Sequence, residues 1–280
     1  MNARVLMVGV RRGWAEHLQF LRDRRELAWN LFGTVGVFVA LAYWQGGENV
    51  EGTDVSRAVL MAAGFTAFSI FSVALLNLPV TITADREDGV LLRMRTVPGG
   101  IPAYLCGRAV AVLCQIATYV LAMLAAGLAF TDLTLPSAAD DWLTLAWVLT
   151  LGTLAVAPLG AALGTLLPGP RNAAGVLSLP ITGLMLISGV MFPITALPEP
   201  VRWVAQAFPL YWQGLGLRSV FLPDSMLAAE IGGGWRPAQT AAVLGAWAVA
   251  GLLLAPPLLR RAARRESAAR PAGRRLRAAY

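Results

Sequence analysis

Residues 83–108 read TADREDGVLLRMRTVPGGIPAYLCGR, from Thr83 to Arg108. The stretch lies between two long apolar runs, and its first half carries Asp85, Arg86, Glu87, Asp88, Arg93 and Arg95. That many charges exclude it from a bilayer interior, so it joins two spans at a membrane surface. The acids Asp85, Glu87 and Asp88 suit the positive end of a helix, and Pro98-Gly99-Gly100 suits its stop. A short charged helix over about 85–98 is therefore predicted, tethered at both ends to membrane-spanning segments. Within it Val90, Leu91 and Met94 share one arc, while Leu92 and Arg95 point elsewhere.

Composition sets the fold class. Hydrophobic residues make up 57% of the chain and charged residues 14%, with a mean hydropathy of +0.61. Soluble domains are about 25% charged, so the chain reads as an all-α, polytopic membrane protein. Every basic side chain is arginine. The net charge of +7 is distributed by membrane topology rather than along one basic face, which excludes a nucleic-acid partner. Cys106 and Cys114 share one predicted span and read as a reduced pair, with neither a disulfide nor a metal site implied.

Residues 1–26 carry too many charges for a signal peptide. Val10, Trp14, Leu18 and Leu21 share one helical face, with Arg12, Glu16, Gln19 and Asp23 opposite, as expected of a cytoplasmic helix lying in the membrane interface. His17, the single histidine, reads as a surface residue. A transmembrane domain over 27–259 follows, with six apolar runs at about 27–44, 58–82, 103–130, 142–167, 173–192 and 239–259. Each is near the roughly 20 residues that cross the hydrocarbon. Tyr43, Trp44, Trp142 and Trp235 sit where an aromatic belt would place them. Gly160-x-x-x-Gly164 allows close helix contact.

Arginine sets the orientation. With six spans the termini share a side, and that side receives most of the 23 arginines; only Arg57, Arg202, Arg218 and Arg236 fall opposite. The positive-inside rule then places both termini, and Thr83–Arg108, in the cytoplasm of a cell-membrane protein. The outer segment, about 193–238, is punctuated by Pro193, Pro198, Pro200 and Pro209 and is rich in aromatics. It reads as two short, partly buried re-entrant helices shielded by protein. The tail, 260–280, is basic and reads as unstructured or lying on anionic lipid.

No phosphate loop of the Gly-x4-Gly-Lys-Ser/Thr type exists in a chain without lysine. No acidic residue, lysine or histidine lies mid-span, and no nucleophile–base pair or metal-ligand spacing can be nominated. Catalytic, cofactor-binding and metal residues are therefore expected to be absent, and the chain is read as a non-enzymatic transport subunit driven by a separate engine.

The charged stretch resembles the cytoplasmic motif of type-2 ABC exporter permeases, close to E-R-E-x-G-T-L-x-x-L-x-x-T-P followed by Gly-Arg. Arg86, Glu87, Gly89, Leu91, Thr96, Pro98 and Gly107-Arg108 fall on matching positions, with Asp85 and Val90 as mild departures. Ser188-Gly-Val-Met-Phe-Pro193, Leu197-Pro198 and Phe208-Pro209-Leu210 are similar to the family's S-G-x-x-F-P, L-P and P-L elements. The chain looks most like the daunorubicin-resistance-like drug and antibiotic efflux branch. The resemblance implies two permease chains, identical or sister, and a cytoplasmic ABC ATPase that holds the ATP and Mg. It makes Arg86, Glu87, Gly89, Val90, Leu91, Met94 and Pro98 the ATPase-coupling residues. A rigid helix tethered to two spans also suits a lever physically, and Gly89 would permit close backbone approach.

Ser69, Ser72, Asn77, Ser178, Thr182 and Ser188 are the polar residues available to line a substrate path; helix–helix hydrogen bonding is the competing reading of each. Apolar walls favour export of a small amphipathic, drug-like substrate in contact with membrane lipid. A polysaccharide or lipid-linked cargo is the alternative within the family, and a non-transporting anchor or sensor is the alternative of another class.

Overall fold

A computed structural model describes residues 3–45 and 47–277, with side chains described for these except 26, 30, 95, 256 and 259–277. Among the described residues the chain is helical, and its only β-type pairing is an isolated bridge between Asn49 and Ser56. The helices are α1 (Ala3–Arg22), α2 (residues 24–45), α3 (Arg57–Glu87), α4 (Val90–Arg95) and α5 (Gly100–Phe130). Then follow α6 (Ala139–Leu166), α7 (Pro170–Ile187), α8 (Glu199–Ala207), α9 (Pro209–Phe221) and α10 (Pro237–Arg277).

Five segments are long and apolar enough to cross a membrane: Leu27–Gln45, Arg57–Glu87, Gly100–Phe130, Ala139–Leu166 and Pro237–Ala255. They match five of the six apolar runs, and the protein is a multi-pass membrane protein. The remaining run, 173–192, became α7, whose 18 residues begin Pro170-Arg171-Asn172, and these polar first residues leave it outside that set. α3 and α5 have 31 residues each, about 46 Å at 1.5 Å per residue, against about 30 Å of hydrocarbon. Each is therefore longer than a straight crossing needs, and the charged residues gather at their shared end. α3 stays helical through Pro79 because a π turn at Val73–Asn77 shifts the hydrogen-bond register just before the missing N–H.

Lipid tails supply no hydrophobic drive between helices, so close packing through small residues must do so. The Gly160/Gly164 pair does this between α6 and α3. No Cβ would fit between Gly160 and the Ala74 carbonyl, and one on Gly164 would sit 2.9 Å from Ile82 Cβ. α3 and α9 are the most enclosed elements, and α9 packs against α3, α6 and α10.

Several expectations need correcting. The charged stretch is not one helix over 85–98. α3 continues to Glu87, the chain turns at Asp88 and Gly89, and α4 covers only Val90–Arg95. Asp85 and Glu87 thus sit at the negative end of a helix, and Asp85 is stabilised there by partners instead of by the dipole. His17 is buried, not at the surface. Its Nε2 lies 3.4 Å from Thr118 Oγ1 and its ring lies beside those of Trp14 and Phe20. Burial holds its pKa below the ordinary value. α1 runs alongside the first half of α5, with Gly9 against Ala103 and Cys106 and Gly13 against Gly107 and Val110. Leu6, Met7, Val10 and Trp14 remain exposed on its outer face.

Between residues 193 and 238, α8 is partly buried, with Trp203 exposed, while α9 is enclosed along nearly its whole length. α9 runs antiparallel to α6, since Gln213 meets Gly152 and Gly216 meets Val148. From residue 260 the backbone continues as the α10 helix to Arg277 and is not unstructured, while the tail's arginine side chains lie outside the described ones.

Candidate functional site

The C-terminal end of α3 and the N-terminal end of α5 are joined by α4 and the turn that follows it. Two tight features shape this tip. Gly89 has φ +71° and precedes α4, with nothing within 4 Å of the position its Cβ would take. Its role within the chain is thus the left-handed backbone that lets the chain reverse, and the space around it is open. A close approach occurs at Gly100, where a Cβ would collide with the Met94 carbonyl oxygen. Thr96 Oγ1 donates to the Arg93 carbonyl at 2.8 Å and helps to close α4.

Neighbouring side chains at the end of α3 anchor the tip in two directions. Arg86 Nη1 donates to the carbonyls of Gly164, Thr165 and Leu167 at 3.2, 2.8 and 3.1 Å. These lie at the C-terminus of α6, where a helix leaves acceptors unpaired and favours a cation. Asp85 Oδ2 accepts from Tyr104 Oη at 2.7 Å and is ion-paired with Arg108. Arg108 also lies 3.2 Å from Glu16 Oε2 on α1, and Arg12 Nε donates to Glu16 Oε1 at 2.9 Å. The guanidiniums of Arg12 and Arg108 both lie over the Tyr104 ring, at 5.1 and 5.6 Å. One cluster thereby joins α1, α3 and α5.

Of the nominated coupling residues, Arg86 is directed into the fold. Glu87 and Pro98 are exposed, and Val90, Leu91 and Met94 are half-buried against the neighbouring helices. Asp88, Arg93 and Val97 complete the exposed rim. None of these three was nominated; Val97 was readable as an apolar residue in a polar turn. Asp85, Tyr104, Arg108 and Glu16 were missed because their partnership joins positions far apart in sequence.

Of the nominated path residues, Ser69, Ser72 and Asn77 lie on α3, Ser178 and Thr182 on α7, and Ser188 just after α7. Ser69 Oγ donates to the Thr66 carbonyl at 2.8 Å and Ser178 Oγ to Gly175 at 3.1 Å, each within its own helix. Ser72 and Asn77 are half-buried, and Thr182 is exposed. Ser188, at the end of α7, is buried and its Oγ has no partner.

The buried pair missed altogether is Arg218–Glu230. Arg218 Nε donates to Glu230 Oε1 at 2.5 Å, with the side chains 1% and 3% exposed. Arg218 Nη1 also donates to the Gly189 carbonyl at 3.1 Å. The Ser188–Pro193 motif is thereby fastened to α9.

No group of three or more His, Cys, Asp or Glu side chains among the described residues is placed to hold a metal ion. The site is a structural junction: a charged tip at the end of two long helices, bonded to α6 through Arg86 and to α1 and α5 through the Asp85 cluster. No curated protein matches the chain. The family model for the ABC-2 type transporter matches residues 12–222, from within α1 to the end of α9 and including the junction, so the chain belongs to the ABC-2 type transporter family.

Proposed function

We propose that the protein is the permease subunit of an ATP-driven exporter, and that the tip at residues 85–98 receives the push of a cytoplasmic ATPase. The observation that supports this most is the double anchoring of α3 through Asp85 and Arg86. A lever transmits force only if its contacts hold when it moves. A displacement of α4 would reach α6 through Arg86 and α1 and α5 through Asp85. The exposed rim of Glu87, Asp88, Arg93, Val97 and Pro98 supplies charge and a small apolar patch for docking.

In this reading α7 completes six spans, both termini are cytoplasmic, and the exposed apolar face of α1 rests at headgroup depth. α8 and α9 form a re-entrant hairpin from the outer side. A second permease chain, identical or sister, completes the transporter, and the ATPase supplies ATP and Mg. The cargo is a small amphipathic molecule of the drug or antibiotic type, consistent with walls that are apolar and uncharged. The test is to co-express the chain with its ATPase. The two should co-purify, and the isolated permease should show no ATP turnover; turnover by the isolated chain would end this reading.

A further inference from the structure

Gln213 lies on α9 where that helix meets α6. Its side chain is 0% exposed, and neither Nε2 nor Oε1 has a hydrogen-bond partner. Other polar groups of the same helix are satisfied: Trp212 Nε1 donates to the Gln206 carbonyl at 2.7 Å, Ser219 Oγ donates to Gly216 at 2.8 Å, and Tyr211 Oη accepts from Arg236. The seam around Gln213 is built for close contact. A Cβ on Gly152 of α6 would collide with the Gln213 amide, and one on Gly216 would sit 2.7 Å from Val148 Cγ2. Two further buried hydroxyls without partners flank α9: Ser188, next to the Gly189 carbonyl that binds Arg218, and Thr240 on α10.

A buried amide with donor and acceptor both unmet destabilises the state that holds it, and buried polar groups are otherwise almost always paired. Leucine, of similar volume, would fill the seam without that penalty. The penalty is removed in any state where the seam parts and Gln213 meets a polar partner.

Resting on the transport reading, we propose that the α6–α9 seam opens during turnover as part of the cargo route, with Gln213 as its polar contact. Its donor and acceptor suit an uncharged amphipathic cargo carrying hydroxyl, carbonyl or amide groups on an apolar frame. Ser188, beside the Gly189 that Arg218 binds, and Thr240, on the α10 helix that packs on α9, are the further unpartnered hydroxyls available to it. The path is thereby assigned to the hairpin, whereas Ser69 and Ser178, already bonded within their helices, take no part.

The test uses the permease–ATPase complex in nanodiscs, with Cys106→Ser and Cys114→Ser as background. Gln213→Cys is exposed to the small water-soluble cation trimethylammonioethyl methanethiosulfonate, at rest and during ATP turnover. The introduced thiol should react about tenfold faster during turnover, as expected if opening is a minor resting population that nucleotide shifts. Ala67→Cys, buried on α3 beside α9, should not change. Separately, Gln213→Leu should leave the unfolding temperature of the complex unchanged or raised. No acceleration in the Gln213→Cys variant overturns the proposal, and so does a Gln213→Leu variant that unfolds earlier than wild type, since the amide would then be paired at rest. Failure of the ATPase to co-purify would instead bring down the transport reading itself, and this inference with it.

Discussion

Asp85 and Arg86 are adjacent in the chain and anchored to opposite neighbours. Asp85 holds Tyr104 and Arg108 of α5, and Arg86 holds the last carbonyls of α6. On a helix, consecutive residues point about 100° apart, so one turn at the end of α3 braces two sides of the bundle.

Arg86→Ala should leave the end of α6 uncapped. Hydrogen bonds to a charged group contribute about 1.5–3 kcal/mol, so the variant should lose about 2 kcal/mol of stability, seen as a lower unfolding temperature in detergent. Arg86→Lys keeps the charge but loses the planar fork and should recover only part. A wild-type melting curve for Arg86→Ala would show that the cap is dispensable.

The Asp85–Arg108 pair lends itself to a double-mutant cycle. Both side chains are largely enclosed, at 16% and 15% exposed, so removing either partner strands the other. Asp85→Asn and Arg108→Gln should each destabilise, and the double variant should cost less than their sum by about 1–3 kcal/mol. Strict additivity would show that the contact carries no coupling between α3 and α5.

On α9, Arg218→Met alone should be severely destabilising, by about 3–5 kcal/mol, because Glu230 is left buried without its partner. Arg218→Met combined with Glu230→Leu should recover most of that loss. Membrane abundance and thermal unfolding would report both. If the double variant is as unstable as the single one, the pair's worth lies in other contacts, such as the bond to Gly189.

These contacts also mark where sequence reasoning stopped. Apolar runs and Gly160-x-x-x-Gly164 were legible because membrane thickness and helix periodicity act locally. The position of the charged tip was legible too, since charge cannot enter the bilayer. Its internal shape was not: Asp85, Glu87 and Asp88 looked like the start of a helix, yet Gly89 reverses the chain and makes them an ending. His17 read as surface because nothing in its neighbourhood announces the Gly9/Gly13 face that packs on α5. Arg218 read as one more outer-side arginine, since its partner Glu230 and its acceptor Gly189 come from separate elements.

Topology is checked by reporter fusions. Reporters that function in the cytoplasm should be active after Arg95 and Arg261, and those that function outside should be active after Asp140 and Asp224. An external signal at Arg261 would show that the chain does not cross six times, and an external signal at Arg95 would turn the charged tip away from any cytoplasmic ATPase.

The last prediction concerns the tip itself. Glu87 is exposed and its carboxylate lies against Gly169 at the start of α7, so Glu87→Arg reverses a charge on the rim while leaving the Arg86 and Asp85 side chains in place. Like-charge contact across an interface can cost several kcal/mol, enough to weaken ATPase docking while leaving membrane abundance near wild type. Gly89→Val acts differently. At φ +71°, a β-branched residue is strained by about 1–3 kcal/mol, so α4 should be displaced and the rim reshaped. Gly89→Asn separates shape from bulk, because asparagine tolerates the left-handed region; it should retain most ATPase binding where valine loses it. Leu92→Met, a volume-conserving change, should do little. Membrane abundance, ATPase pull-down and ATPase stimulation should be measured for each variant beside the cognate partner. If Glu87→Arg and Gly89→Val both keep full binding and stimulation, the tip is only a connection between α3 and α5, and the ATPase must dock elsewhere.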